Sequence, residues 1–324
     1  MNPEIYYFDE CVKNLFEFEN LLKEKKLNIK HGSEFEKISY TILEVQEIFK
    51  GAKNGYNNKI DNRESYRKMA GLNDFLRKII YLKDYSDFEQ LWPHIRLLFS
   101  DSKIVQNVWS PKEDQISNKL YEFFIALIVM KVGSDLKIED PNDSGKGDNP
   151  DVIISIDGIQ WGFACKVMHS PSAKSYIDRL KEGIDQIERS NVDRGIVTFN
   201  LKNLVKHDAY WPAVQDPNTQ EFYYVGFDDY KAVANDLQRY AYKNEDIVHS
   251  VFDDNKNEIN KLFHKKNVCP TTLLFIPTVT SIIKNDLPVI TLIRSFGMQP
   301  FLETAEDDRK VIEKINDSLH DRYL

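Results

Sequence analysis

The chain has 324 residues, with 43 basic against 51 acidic side chains (formal charge −8), 42% hydrophobic and 12% aromatic residues, 13 Gly and 12 Pro. This balance excludes collagen-like, disordered and disulfide-scaffold classes, and at roughly 150 residues per domain it suggests about two domains. The acidic excess argues against a protein that coats nucleic acid over its whole surface, although a local basic surface remains compatible with it.

In chain order, the first hundred residues read as helical. Phe35, Ile38, Ile42, Val45 and Ile48 recur at spacings of three and four, and Ser33 with Glu36 has the pattern of a capping box. Residues 51–61 read as a polar loop, Arg63 to Leu82 as a second helical stretch and Asp87 to Ser100 as a third. Residues 1–110 are therefore expected to form a helical N-terminal domain, with 111–324 forming an α/β domain that carries a C-terminal extension.

From Leu120 to Val132 the chain is apolar almost all round, the mark of a buried helix, with Glu122 the lone acid inside it. Asp135–Ile138 and Val152–Ile156 read as strands, Asp157-Gly158 as a hairpin turn and Gln160–Met168 as the return strand. Ser172 to Arg189 is helical, with Ile177, Leu180, Ile184 and Ile187 on one face, and Gly195–Leu201 is another strand. A helix between two strands supplies the crossover that a parallel pair requires, so the core should be α/β with a mixed sheet. Beyond residue 205, Tyr230–Tyr242 and Asn244–His264 read as helices, Leu273–Ile283 and Val289–Ile293 as strands, and Thr304–Leu319 as a terminal helix.

Three cysteines (Cys11, Cys165 and Cys269) are too few and too scattered for a disulfide framework or a thiolate zinc site, which points to a reducing, cytoplasmic setting. The first ten residues have no apolar signal core, and the longest apolar run, Phe123 to Met130, is far short of the roughly 20 residues that span a bilayer. Walker, dinucleotide and nucleophile-elbow motifs are absent.

Chemistry concentrates in Gly147 to Lys166, GDNPDVIISIDGIQWGFACK. An acid, Asp151, follows Pro150 at a strand start, a hairpin follows, and Lys166 stands on the second strand. Alternation puts Gly162, Ala164 and Lys166 on one face and Trp161, Phe163, Cys165 and Val167 on the other. A lysine among apolar neighbours needs a partner or a wet cleft.

This stretch resembles the PD-(D/E)xK nuclease superfamily, with the restriction-endonuclease-like fold. Pro150-Asp151 and Lys166 carry the resemblance, Glu122 takes the place of the family's helical glutamate, and Gln186 on the crossover helix matches a glutamine of several branches. The resemblance covers about residues 112–205. One position departs from it, since Ala164 stands where the second acid belongs. Three explanations fit: the acid was removed by engineering, this branch uses Glu122 or Gln186 instead, or the site binds without cutting. The resemblance implies a Mg²⁺-dependent endonuclease acting on DNA, with Mn²⁺ as a substitute and RNA not excluded, in prokaryotic restriction or antiphage defence. It further implies that Asp151, Glu122 and the backbone carbonyl of Cys165 hold the metal, while Lys166 orients the attacking water or steadies the phosphate. Cutting both strands would suit a homodimer.

For phosphate contacts the most basic local stretch is Arg63, Arg67, Lys68, Arg77, Lys78 and Lys83, in which Arg63 and Arg67 share a helix face and Tyr66 and Tyr81 are interleaved. The alternative for this stretch is a solvated helix face. Lys146, in the loop before Pro150, is a further candidate, against the commoner case of an exposed loop lysine.

Overall fold

The computed structural model describes residues 4–5, 8–49, 59–141, 149–243, 250–264, 266–284 and 287–320. The chain opens with a short strand β1 (Glu4–Ile5), then helices α1 (Phe8–Glu24), α2 (Glu34–Phe49) and α3 (Arg63–Leu82). Ser33 caps α2, its Oγ accepting the Glu36 N–H at 3.3 Å; Glu36 reaches back to the Gly32 N–H at 2.7 Å, one residue earlier than a strict capping box. The stretch expected as one helix over 87–100 is divided into a 3₁₀ turn (Phe88–Leu91) and α4 (Trp92–Leu97), because Pro93 belongs in a helix's first turn and not in its interior.

Helix α5 (Gln115–Val129) starts at Asp114, whose side chain accepts the Ser117 N–H at 3.0 Å. Next come β2 (Ser134–Ile138), β3 (Val152–Ile156), β4 (Ile159–Val167), α6 (Ala173–Arg189) and β5 (Arg194–Asn200), the order read from the sequence. Asp157 and Gly158 both take positive φ, +52° and +80°, as a two-residue hairpin turn between right-twisted strands requires. After a 3₁₀ turn at His207–Tyr210 the chain forms β6 (Ala213–Gln215), β7 (Phe222–Tyr224), α7 (Tyr230–Lys243), α8 (Ser250–Leu262), β8 (Thr271–Lys284), β9 (Leu287–Pro300) and α9 (Glu306–His320). The helix expected over 244–264 is described only from Ser250; its first six residues lie outside the described ones.

Among the described residues the main sheet has seven strands in the order β1-β9-β8-β5-β4-β3-β2. The pairs β4–β5 and β5–β8 are parallel and the others antiparallel. The protein is thus α/β, with a mixed sheet flanked by helices. Strand β9 runs well past the expected Val289–Ile293, pairing with β8 from Lys284↔Leu287 to Thr271↔Pro300.

Alternating side chains build a core on each side of the sheet. On one side Trp161, Phe163, Ile196 and Phe275 meet α1 to α5 and α9; on the other Ala164, Val197, Leu274 and Ile276 meet α6, α7 and α8. The N-terminal helices share the first core with the sheet: Phe75 of α3 stacks on Phe123 of α5 at 5.6 Å, and Phe124 lies 4.8 Å from Phe275 of β8. Buried Asp74 accepts from Lys78 at 2.6 Å and Arg294 at 2.5 Å, tying α3 to β9. Among the described residues no helix is long and apolar enough to cross a membrane, and all three cysteines are buried and free.

Candidate active site at the ends of β3 and β4

The site begins with a steric fit. Pro150 folds over β4 at Gly162, where a Cβ would come within 2.7 Å of the proline Cγ and 3.1 Å of a Val192 methyl carbon. Only glycine permits that approach. The chain entering β3 is turned there, and the buried carboxylate of Asp151 accepts the Cys165 N–H at 2.6 Å, so a side-chain oxygen takes up a backbone donor of β4.

Lys166, half-buried, donates from Nζ to Gln186 Oε1 on α6. The partner required by a lysine in an apolar strand is thus the crossover-helix glutamine. From the opposite layer, α5 brings in Glu122, buried, with Lys119 Nζ 3.0 Å from its Oε2 and 3.5 Å from Glu139 Oε2. Lys119 and Glu139 were not singled out from the sequence. Lys119 could have been, since it stands three residues before Glu122 on the same helix face.

The electrostatics link these groups. Burial raises the Glu122 carboxyl from 4.5 to about 8, the charge of Asp151 adds to the rise, and Lys119 opposes it. Asp151 is also raised, by burial first, against the pull of Lys166, the Cys165 N–H and Lys119. Burial lowers Lys119, but Glu122, Asp151 and Glu139 together outweigh it and leave the ammonium above its usual value. Two desolvated acids therefore interact, and Lys119 and Lys166 offset only part of the cost of burying them.

Asp151, Lys166, Glu122, Gln186 and Cys165 are brought together, and of Cys165 it is the amide N–H that meets Asp151. Ala164 is fully buried on the α6 side. A Cβ at Gly183 would lie 3.3 Å from the Ala164 Cβ and 2.9 Å from Val197 Cγ1, so helix and sheet touch there through small residues. The position expected for an acid is occupied by helix packing.

In the stretch expected to contact phosphate, most of the basic side chains are paired within the chain. Arg67 has a 9% exposed side chain and binds Asp208 at 2.6 Å, while Arg63, 12% exposed, binds Asp61 at 2.6 Å and the Trp211 carbonyl at 2.6 Å. These arginines fasten α3 to the turn after β5. Lys68 sits between Glu34 at 2.9 Å and Glu64 at 3.1 Å, Arg77 lies 3.8 Å from Glu10, and Lys78 is fully buried against Asp74. Acids of the same chain, which composition cannot locate, pair with this charge. Lys146 lies outside the described residues.

Among the described residues no group of three or more His, Cys, Asp or Glu side chains is placed to hold a metal ion; the acids gathered here are Asp151 and Glu122, with Glu139 sharing Lys119. Comparison with family models, with curated proteins and with solved structures returns no match.

Proposed function

We propose that this chain is a Mg²⁺-dependent nuclease of the restriction-endonuclease-like fold, hydrolysing phosphodiester bonds of DNA. One observation carries the reading: Asp151, immediately before β3, and Lys166, on the antiparallel neighbour β4, lie within electrostatic reach of each other, and Glu122 from the preceding helix and Gln186 from the crossover helix join them. The all-oxygen acid pair supports Mg²⁺ as the cofactor, with Asp151 and Glu122 as its ligands. The Cys165 carbonyl, on the same side of β4 as the N–H that meets Asp151, is the third candidate. When bound, the ion supplies Lewis acidity and a water of lowered pKa.

The chain's own residues do the rest. Lys166, steered by Gln186, places an ammonium where negative charge develops on the phosphoryl oxygens. The Cys165 N–H fixes the Asp151 carboxylate so that little reorganisation is needed at reaction. Lys119 balances part of the acid charge and has Glu139 as a second acceptor.

Plasmid cleavage with Mg²⁺ or Mn²⁺, for the parent, Asp151→Asn and Lys166→Ala, tests this reading. The parent should nick or linearise DNA, EDTA should stop it, and either variant should lose about a hundredfold or more. An Asp151→Asn chain that cuts like the parent refutes the assignment. Ala164, packed on Gly183 in place of an acid, favours a second reading, a nuclease-fold module that binds nucleic acid without cutting it. Binding by a parent that never cleaves would select that reading.

A further inference from the structure

The candidate site already contains a cation of the chain's own. Lys119, on α5, places its Nζ 3.0 Å from Glu122 Oε2 and 3.5 Å from Glu139 Oε2. Glu139 directly follows β2, and its N–H donates to the Asp151 carbonyl at 3.5 Å, which sets it across from Asp151. Asp151 acts on the same ammonium through its charge. Among the described residues no other basic side chain lies within ion-pair distance of Glu122 or Glu139.

The two acceptors differ in depth. The Glu122 side chain is 8% exposed, whereas those of Lys119 and Glu139 are 26% and 27% exposed. The ammonium therefore bridges a buried carboxylate and one at the rim, and a small rotation of its flexible stem trades one for the other. The donors gathered here are carboxylate oxygens, the type that Mg²⁺ and Mn²⁺ take. An ammonium and a divalent ion on the same carboxylate repel each other, and more strongly in this partly buried place than in water. Lys119 must then give up Glu122, and Glu139 is the acceptor already within reach. A monovalent ion brings no more charge than the tethered ammonium, so the exchange favours divalent ions.

We propose that Lys119 is a tethered counter-ion of the site, which leaves Glu122 for Glu139 when a divalent ion binds. Glu139 is thus a positioning residue that acts through Lys119 and is not itself a metal ligand. The proposal rests on the reading of Asp151 and Glu122 as metal ligands and adds the control of that same site. It explains how the acids stay partly neutralised before the ion arrives, and it makes metal uptake depend on two side chains that do not bind metal.

The test is titration with Mn²⁺ alone, without nucleic acid, at about pH 8, the free ion being counted by electron paramagnetic resonance. The chains compared are the parent, Asp151→Asn, Lys119→Met, Lys119→Arg, Glu139→Gln and the double variant Lys119→Met with Glu139→Gln, with far-UV circular dichroism confirming each fold. The parent should bind Mn²⁺ and Asp151→Asn should lose that binding. Lys119→Met removes the competing charge and keeps the stem, so it should bind Mn²⁺ about fivefold more tightly or better. Lys119→Arg keeps the charge and should bind like the parent. Glu139→Gln removes the acceptor for the displaced ammonium and should weaken binding about tenfold in the parent, yet make no difference in Lys119→Met. An equal loss from Glu139→Gln in both backgrounds would make Glu139 a ligand and overturn the exchange. So would no loss at all, a Lys119→Met chain that binds no more tightly than the parent, or a Lys119→Arg chain that tightens as Lys119→Met does. In those cases Asp151-dependent Mn²⁺ binding leaves the metal reading standing; a parent that binds no Mn²⁺, or binds it independently of Asp151, overturns both.

Discussion

Replacing Glu122 by glutamine should stabilise the protein, and increasingly so as pH rises. The side chain is buried on α5, and its carboxyl is raised from 4.5 to about 8, by burial first and then by the charge of Asp151. A carboxyl raised in the folded state keeps a proton that the unfolded chain releases. Its favourable contribution is therefore complete below pH 4.5 and is lost progressively as pH climbs to about 8. At about 1.4 kcal/mol per pH unit, the loss is about 3 kcal/mol by pH 7 and about 5 kcal/mol above pH 8. Glutamine has nearly the same shape and no proton to lose, while Lys119 keeps Glu139 as an acceptor at 3.5 Å. Urea unfolding of parent and Glu122→Gln from pH 5 to pH 9 should give curves that nearly meet at the acid end and diverge upward. Groups remote from Glu122 cancel in the difference, whereas Asp151 and Lys119, which interact with its charge, belong to the measured effect. Added Mg²⁺ at pH 8 should stabilise the parent more than the variant, because an ion that binds only the folded state raises stability by mass action. Parallel curves across the whole range would refute the argument that burial beside Asp151 sets the ionisation of Glu122.

Three other substitutions separate packing from chemistry. Ala164→Glu should cost about 3 kcal/mol or more in thermal or urea melts and fail to increase cleavage, because the new carboxylate would enter the contact with Gly183 and Val197; a stable, faster enzyme would show that the position opens to the site. Gly162→Ala should cost about 1–3 kcal/mol and reduce cleavage as well, since a Cβ 2.7 Å from the Pro150 ring must displace the turn that aims Asp151; unchanged melting would contradict it. Arg67→Ala should cost about 1–2 kcal/mol through its lost pairing with Asp208. The salt dependence of nucleic-acid binding should not change with it, and a shallower slope would return this arginine to the phosphate-contacting surface.

Much of the fold could be read locally. The crossover order from α5 to β5 follows from apolar period, turn chemistry and one amphipathic helix. The hairpin followed from two residues, Asp157 and Gly158, whose positive φ values are the ones such a turn demands. Strand β9 was harder to read, because Ser295, Gly297 and Pro300 break its pattern and only pairing with β8 holds the segment extended. The short β6 and β7 left no periodic trace, and their three-residue lengths explain why.

For the site, sequence alone determined which chemical groups exist and that Asp151 and Lys166 could sit on neighbouring strands, since a two-residue turn leaves little choice of register. Long-range packing decided their partners. Gln186 reaches Lys166, and the Arg63 and Arg67 guanidiniums are taken up by the turn after β5, across separations of 20 and about 140 residues, whereas Lys119 meets Glu122 locally on one helix. A charge on a helix carries no local sign of whether water or a distant acid will neutralise it. That depends on which surfaces the folded chain presses together, and so on tertiary structure.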